Sequence, residues 1–167
     1  IAFAACFVIL TQVDYDYNYN KAYPAHDRIY RVEVDAGGDY GWQIWLARPF
    51  CELVGASSSH IQAISVTSLS SNKNDFEVDE HIYSEPWFTG FGDYLEVFQP
   101  TMVCGTTASL NEPNHALISA SMALRFFSTT DAIGKPIYVD RKSRNQPLVV
   151  GGVYQDMPEN SQLGNCV

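Results

Sequence analysis

Basic residues are scarce in this chain. Ten lysines and arginines stand against nineteen aspartates and glutamates, for a formal net charge of −9 at pH 7. Neutralising nucleic-acid phosphates requires clustered cations. Apart from Arg141, Lys142 and Arg144 in a polar loop, the cations here are scattered, so no nucleic-acid partner is expected. The short motifs of several enzyme classes are missing too. There is no G-x-x-x-x-G-K-[ST] phosphate loop, and Gly134-Lys135 reads as a turn dipeptide. No G-x-S-x-G elbow surrounds Ser57, Ser58 and Ser59, so a hydrolase nucleophile has no support. His26, His60, His81 and His115 contain no i, i+4 pair and no H-E-x-x-H. Cys6, Cys51, Cys104 and Cys166 form no C-x-x-C, which excludes a zinc-ribbon or thioredoxin-type motif. Cys6 lies in an apolar stretch. Cys51, Cys104 and Cys166 read as free, mostly buried thiols, or as a disulfide in an oxidising compartment with nothing to select a pairing.

Charge is absent altogether from residues 1–13, an apolar stretch from Ile1 to Val13. It is followed by a Tyr/Asp/Asn segment and then by Arg28-Ile29-Tyr30-Arg31. This is the order expected where a chain leaves a bilayer and enters a folded domain. A spanning helix needs about 20 apolar residues, so the stretch reads either as the end of a membrane helix or as a buried N-terminal helix. Tyr15, Tyr17 and Tyr19 suit a membrane–water interface. The first cations after the stretch are Lys21, Arg28 and Arg31. A cytoplasmic flank carries more positive charge near the membrane, so residues from 14 onward are expected outside the cytoplasm.

Asp14-x-Asp16-x-Asn18-x-Asn20 has the look of a calcium loop. Such a loop needs Gly at its sixth position and Glu at its twelfth, where this chain has Tyr19 and Ala25. The segment is therefore read as a solvated stalk. Asp75, Glu77, Asp79 and Glu80 are the remaining carboxylate candidates for acid/base work, though such a run reads first as a solvated face. No catalytic, cofactor-binding or metal-binding residue is assigned. Tyr40, Trp42, Trp45, Tyr83, Trp87, Phe88, Phe91 and Tyr94 form two aromatic stretches, read as core packing or as a partner surface.

Hydrophobic residues make up 46% of the 167, enough for a packed α+β domain. Residues 28–34 alternate and predict a strand. Trp42 to Val54 is helix-length, with Pro49 near a helix start or a kink, and Ile61–Leu69 alternates again. Residues 70–75 are polar and turn-rich, and are expected to mark a lobe boundary. Strands are predicted at Phe76–Val78, Ile82–Phe88 and Ala116–Ile118. Ser119 is a candidate N-cap for a helix running to Phe127. Residues 137–140 and 148–154 predict a hairpin, with a bulge or close backbone approach at Gly151-Gly152. Phe98 and Phe127 are expected in the core. Pro158–Ser161 reads as a turn.

Four segments, in order, resemble the MacB-like periplasmic core domain of FtsX-type ABC transporter permeases. They are Asp27-Arg28-Ile29-Tyr30-Arg31-Val32; Tyr94-Leu95-Glu96-Val97-Phe98 with Cys104-Gly105 and Ala108-Ser109-Leu110-Asn111-Glu112-Pro113-Asn114; Ile118-Ser119 through Phe126-Phe127 to Asp131-Ala132-Ile133-Gly134-Lys135-Pro136-Ile137; and Val150-Gly151-Gly152-Val153-Tyr154-Gln155-Asp156-Met157-Pro158-Glu159-Asn160-Ser161. Ser128-Thr129-Thr130 departs from the usual Gly after the Phe pair, and Ala132 stands where Pro is common. The resemblance implies a two-lobed α+β domain: a mixed α/β membrane-proximal lobe with an inserted β-rich lobe. On that scheme 1–13 is the end of a transmembrane helix, and 14–69 is the stalk and first part of the α/β lobe. Residues 74–156 would be the insert, and 157–167 a return toward the first lobe, truncated. It further implies a non-enzymatic domain on the outer face of a bacterial inner membrane. The permease would dimerise and pair with a cytoplasmic ATPase subunit. ATP hydrolysis would be coupled through the stalk to an exported substrate or a periplasmic partner protein. The alternative is a membrane-tethered binding module without an ATPase.

Overall fold

A computed structural model describes residues 2–139 and 146–162. Helix α1 (Ala2–Tyr17) takes in the apolar stretch from Ala2 onward and the first part of the stalk. It is exposed along its length, with Phe3, Phe7, Val8, Ile9, Leu10 and Val13 all open to solvent. At about 1.5 Å per residue it is about 24 Å long, less than the roughly 30 Å of a bilayer's hydrocarbon. Among the described residues no helix is long and apolar enough to cross a membrane.

The segment after the stalk differs from the sequence expectation. Of the strand expected over 28–34, only Val34 is in a ladder. Strand β1 (Val34–Asp35) pairs antiparallel with β2 (Trp42–Gln43). Alternation alone does not make a strand: a ladder needs a partner edge, and Tyr30 and Val32 are exposed. Helix α2 (Arg48–Ala56) begins with Pro49 in its first turn, where a missing N–H costs nothing.

Strand β3 (Ser65–Val78) runs antiparallel to β4 (His81–Gly92) in one long hairpin. Its two-residue tip, Asp79-Glu80, has positive φ at both positions (49° and 66°), the geometry whose twist matches that of paired strands. The turn expected at 70–75 is not formed; the backbone there is part of β3. The polar composition instead coincides with a register shift between Leu69 and Lys73. That bulge divides the hairpin into two differently packed halves. The distal half sets Phe76 and Val78 into the main core. The proximal half sets Phe88 against Tyr94 of helix α3 (Tyr94–Phe98), their ring centroids 4.9 Å apart.

Strand β8 (Leu148–Tyr154) organises the rest. Strand β6 (His115–Ser119) lies parallel along one edge. Strands β7 (Pro136–Val139) and β5 (Met102–Gly105) share the other edge, both antiparallel, and β7 continues the sheet to β3. The expected pairing of the 137–140 and 148–154 segments is present; residues 140–145 lie outside the described residues. Helix α4 (Ala120–Phe127) starts as predicted: the Ser119 hydroxyl accepts the Met122 N–H, satisfying one of the donors a helix start leaves open. It buries Met122, Ala123 and Phe126 against Phe76, Ile118, Ile137, Val150 and Val153. Each of the larger of these side chains stabilises by about 1.5–3 kcal/mol when fully buried. Phe98 and Phe127, expected in the core, are only half-buried; Phe76 and Phe126 occupy the centre.

Glycines permit the crowding around β8. The register slips between Ala116 and Leu117, leaving Gly151 out of the β6 ladder. A Cβ on Gly151 would lie 2.2 Å from Ser109 Oγ, and one on Gly152 2.5 Å from Met102 Cε. Gly105, at φ +72°, would place a Cβ 2.5 Å from the Gly151 carbonyl oxygen. The close approach expected at Gly151-Gly152 is present.

Candidate functional site

The residues that join α1 to the folded domain form a hydrogen-bonded joint with the end of the chain that leaves β8. Asn20 is the pivot. Its backbone sits at φ +62°, a left-handed conformation that Asn tolerates better than most residues. Its N–H donates to the Asn160 carbonyl at 2.8 Å, and its Oδ1 accepts the Gln162 N–H at 2.7 Å. The side chain thus stands in for a backbone carbonyl. In return the Asn160 amide donates to the carbonyls of Asn18 (3.1 Å) and Tyr15 (3.4 Å), the open end of α1. The Tyr15 carbonyl is one of the four that a helix leaves open at its end, and the Asn18 carbonyl, just beyond the helix, also accepts the Lys21 N–H at 3.2 Å, so the amide acts as a cap from a distant segment. Tyr15 Oη donates to the Glu159 carbonyl at 3.1 Å. Inside the joint, the Tyr23 and Ser161 hydroxyls meet at 3.1 Å, both buried.

Aromatic contacts carry the joint into the domain. Tyr23 meets Phe98 edge-on at 5.2 Å between centroids. Phe98 meets Tyr94 at 5.0 Å, and Tyr94 meets Phe88 of β4. Offset and edge-on rings at these separations attract one another beyond their buried area. The end of α1 and the residues after it are therefore tied by hydrogen bonds to the segment that follows β8, and by edge-on and tilted rings to α3 and β4. A cavity of about 270 Å³ lies elsewhere, bounded by Thr106, Ser109, Glu112, His115, Ile133 and Val149.

Asp14 and Asp16 serve the helix end: Asn18 Nδ2 donates to Asp14 Oδ1 and Gln12 Nε2 to Asp16 Oδ1. Ser57 Oγ donates to the Val54 carbonyl, and Ser58 Oγ accepts the His60 N–H, so both hydroxyls support a turn. Asp75 and Glu77 lie on β3, while Asp79 and Glu80 form the hairpin tip. The His26, His81 and His115 Nδ1 atoms bond to nearby carbonyls, of Tyr23, Asp79 and Pro113. Among the described residues no three His, Cys, Asp or Glu side chains gather as a metal site. Cys6, Cys51 and Cys104 are free thiols. Cys6 is exposed and the other two half-buried, with Cys104 donating to the Thr130 carbonyl at 3.0 Å. Cys166 lies outside the described residues.

The aromatic stretches divide. Tyr83, Trp87, Phe88 and Tyr94 pack inward, with Trp87 stacked on Phe76 at 5.8 Å and Tyr83 tilted against Phe126 at 4.8 Å. Tyr40, Trp42, Trp45 and Phe91 are exposed. Sequence reading missed Asn18, Asn20, Asn160 and Ser161. The signals available were the recurrence of Asn at two turn segments and the family motif that contains Asn160 and Ser161.

Three solved structures share this fold. One is the extracellular domain of YknZ, a noncanonic ABC-type transporter from Gram-positive bacteria (TM-score 0.55, 16% identity, covering 66% of this chain and 58% of that one). Another is a domain assigned to a permease from Porphyromonas gingivalis (TM-score 0.53, 23% identity, 62% and 43%). The third is the periplasmic region of MacB from Actinobacillus actinomycetemcomitans (TM-score 0.52, 16% identity, 66% and 51%). The chain thus spans about half the length of these relatives. No curated protein matches. The architecture is that of extracytoplasmic domains of ABC transporter permeases. A family model for the MacB-like periplasmic core domain matches residues 1–165, and the chain belongs to that family.

Proposed function

We propose that this domain is the mechanical output of an ABC transporter permease. It would receive the movement produced by a cytoplasmic ATPase and deliver it to an extracytoplasmic substrate or partner protein. The observation that carries this reading is the joint at Asn20 and Asn160. A helix that led only to a tether would need no fixed relation to the domain it holds. Here the end of α1 is capped by Asn160, from a segment continuous with β8, the strand on which the other core strands assemble. Rotation or tilt of α1 then moves β8 and, through Tyr23 and Phe98, the hairpin. A permease dimer would present two such joints, and the membrane-proximal and inserted lobes would turn about them.

The test uses the full-length permease, copurified with its ATPase and labelled at Asp79 on the hairpin tip. The distance between tips of the two copies is read with and without ATP. The expected result is a nucleotide-dependent distance change that Asn160→Ala reduces while ATP hydrolysis continues. An unchanged distance response in the variant would refute transmission through the joint. A protein that purifies without an ATPase would favour the tethered binding module instead.

A further inference from the structure

The cavity between β8 and the turn preceding β6 has a chemistry that neither the joint nor the core uses. Its lining combines apolar Ala108, Ile133, Val149 and Val150 with polar Ser109, Glu112 and His115. The hydrogen-bond geometry of His115 fixes the role of one ring nitrogen. Nδ1 lies 3.1 Å from the Pro113 carbonyl, which can only accept, so Nδ1 carries the hydrogen. In the neutral ring Nε2 is then an acceptor. It faces Glu112 Oε2 at 3.6 Å, which is also an acceptor. Ser109 spends its hydroxyl hydrogen on the Thr106 carbonyl at 2.7 Å, leaving its lone pairs free. Both Ser109 and His115 lie against Gly151: a Cβ there would be 2.2 Å from Ser109 Oγ and 3.3 Å from His115 Cδ2. Three acceptors thus border one apolar cleft.

We propose that this cleft binds an organic ammonium on a short apolar stem, the chemistry shared by a lysine side chain and a free alkylamine. The stem lies on Ile133 and Val149, and the ammonium donates to Glu112 Oε2, His115 Nε2 and Ser109 Oγ. An ammonium has three donors and no acceptor, which matches a rim of acceptors. The chain's charge of −9 favours approach of a cation. A metal ion is a poorer match, since among the described residues no group of three ligating side chains is present. The competing arrangement is internal: a protonated His115 paired with Glu112 would fill its own site and leave nothing for a ligand.

The test is a titration of the full chain, in mild detergent, with n-butylammonium, followed by the backbone amide resonances. Saturable shifts confined to Ser109, His115, Ile133 and Gly151, with none from n-butanol at equal concentration, are the expected result. Glu112→Gln keeps the shape of the side chain, is mostly solvent-exposed and should leave the fold intact. It should weaken binding about five- to tenfold, the loss of one charge-assisted hydrogen bond at a partly exposed rim. A lysine-containing peptide that saturates the same resonances at lower concentration than butylammonium would identify a protein side chain as the source, and the reverse order a free amine. Absence of saturation by both probes, or binding undiminished in Glu112→Gln, would overturn the proposal. Neither outcome bears on transmission through Asn20 and Asn160.

Discussion

The Tyr23 hydroxyl lies 3.1 Å from the Ser161 hydroxyl in a buried setting, joining residues separated by 138 positions. That contact closes the chain into a loop: the segment that leaves α1 is fastened to the segment that leaves β8. Removing it should loosen the joint without dismantling the core. Tyr23→Phe keeps the ring on Phe98 and deletes only the hydroxyl, so it should cost about 1 kcal/mol, the net worth of an ordinary hydrogen bond. Thermal unfolding checks the magnitude. Amide exchange should show faster opening at Asn20 and Gln162, with the β6–β8 amides unaffected. Equal acceleration throughout would mean that the joint and the core unfold as one unit.

Phe76 is fully buried and touches both Trp87 and Phe126. Phe76→Ala should destabilise by about 3–5 kcal/mol, the usual cost of a large core cavity. Phe98→Ala and Phe127→Ala should each cost less, because both rings are half-exposed already. Denaturant midpoints at constant slope would rank the three. A cost at Phe127 equal to that at Phe76 would contradict this assignment of the core.

Ser109 and Gly151 should be coupled. Gly151→Ala drives a methyl into Ser109 Oγ and Cβ, at 2.2 and 2.4 Å, and overpacking of this kind costs about 1–3 kcal/mol. Ser109→Gly removes both obstructing atoms. The double variant should recover much of the loss, with a coupling energy of about 1 kcal/mol or more in a double-mutant cycle. Simple additivity would show that the close approach does not set the cost.

Arg125 pairs with Glu85, whose side chain is 8% exposed. Arg125→Ala leaves that carboxylate buried and uncompensated. Its cost should be about 2–3 kcal/mol. Breaking a fully buried pair costs more, but Arg125 is half in solvent. Arg48→Ala, at the exposed Arg48–Glu52 pair, should cost less than about 0.5 kcal/mol. Similar costs at the two sites would remove the special role of Glu85.

What the sequence disclosed follows the range of the interactions involved. Helix α4 was legible because its cap, Ser119 to Met122, spans three residues. The β7–β8 pairing was legible from apolar runs on either side of a polar loop, and the Gly151-Gly152 approach from two glycines inside a strand. The 28–34 segment misled, because alternation describes a face and says nothing about a partner edge. The 70–75 segment misled in the opposite direction: polar residues in a long two-stranded ribbon need no core, so a turn-like composition was carried as strand with a bulge. The joint was illegible. Asn18 and Asn20 looked like a failed calcium loop and Asn160 like a turn residue. Nothing local announces a hydrogen bond across 142 positions, as between Asn18 and Asn160. The family motif containing Pro158–Ser161 marked the place without giving its physical reason.

The most direct measurement of the central claim is a flexible insertion at the joint in the full-length permease. Six Gly/Ser residues placed between Tyr17 and Asn18 separate α1 from the Asn18–Tyr23 segment while leaving Asn20, Tyr23, Asn160 and Ser161 in contact. Flexible residues of this kind transmit neither torque nor tilt. The account predicts continued ATP hydrolysis, unchanged melting of the domain, and loss of the nucleotide-dependent movement between hairpin tips. Movement of full amplitude in the insertion variant would contradict it.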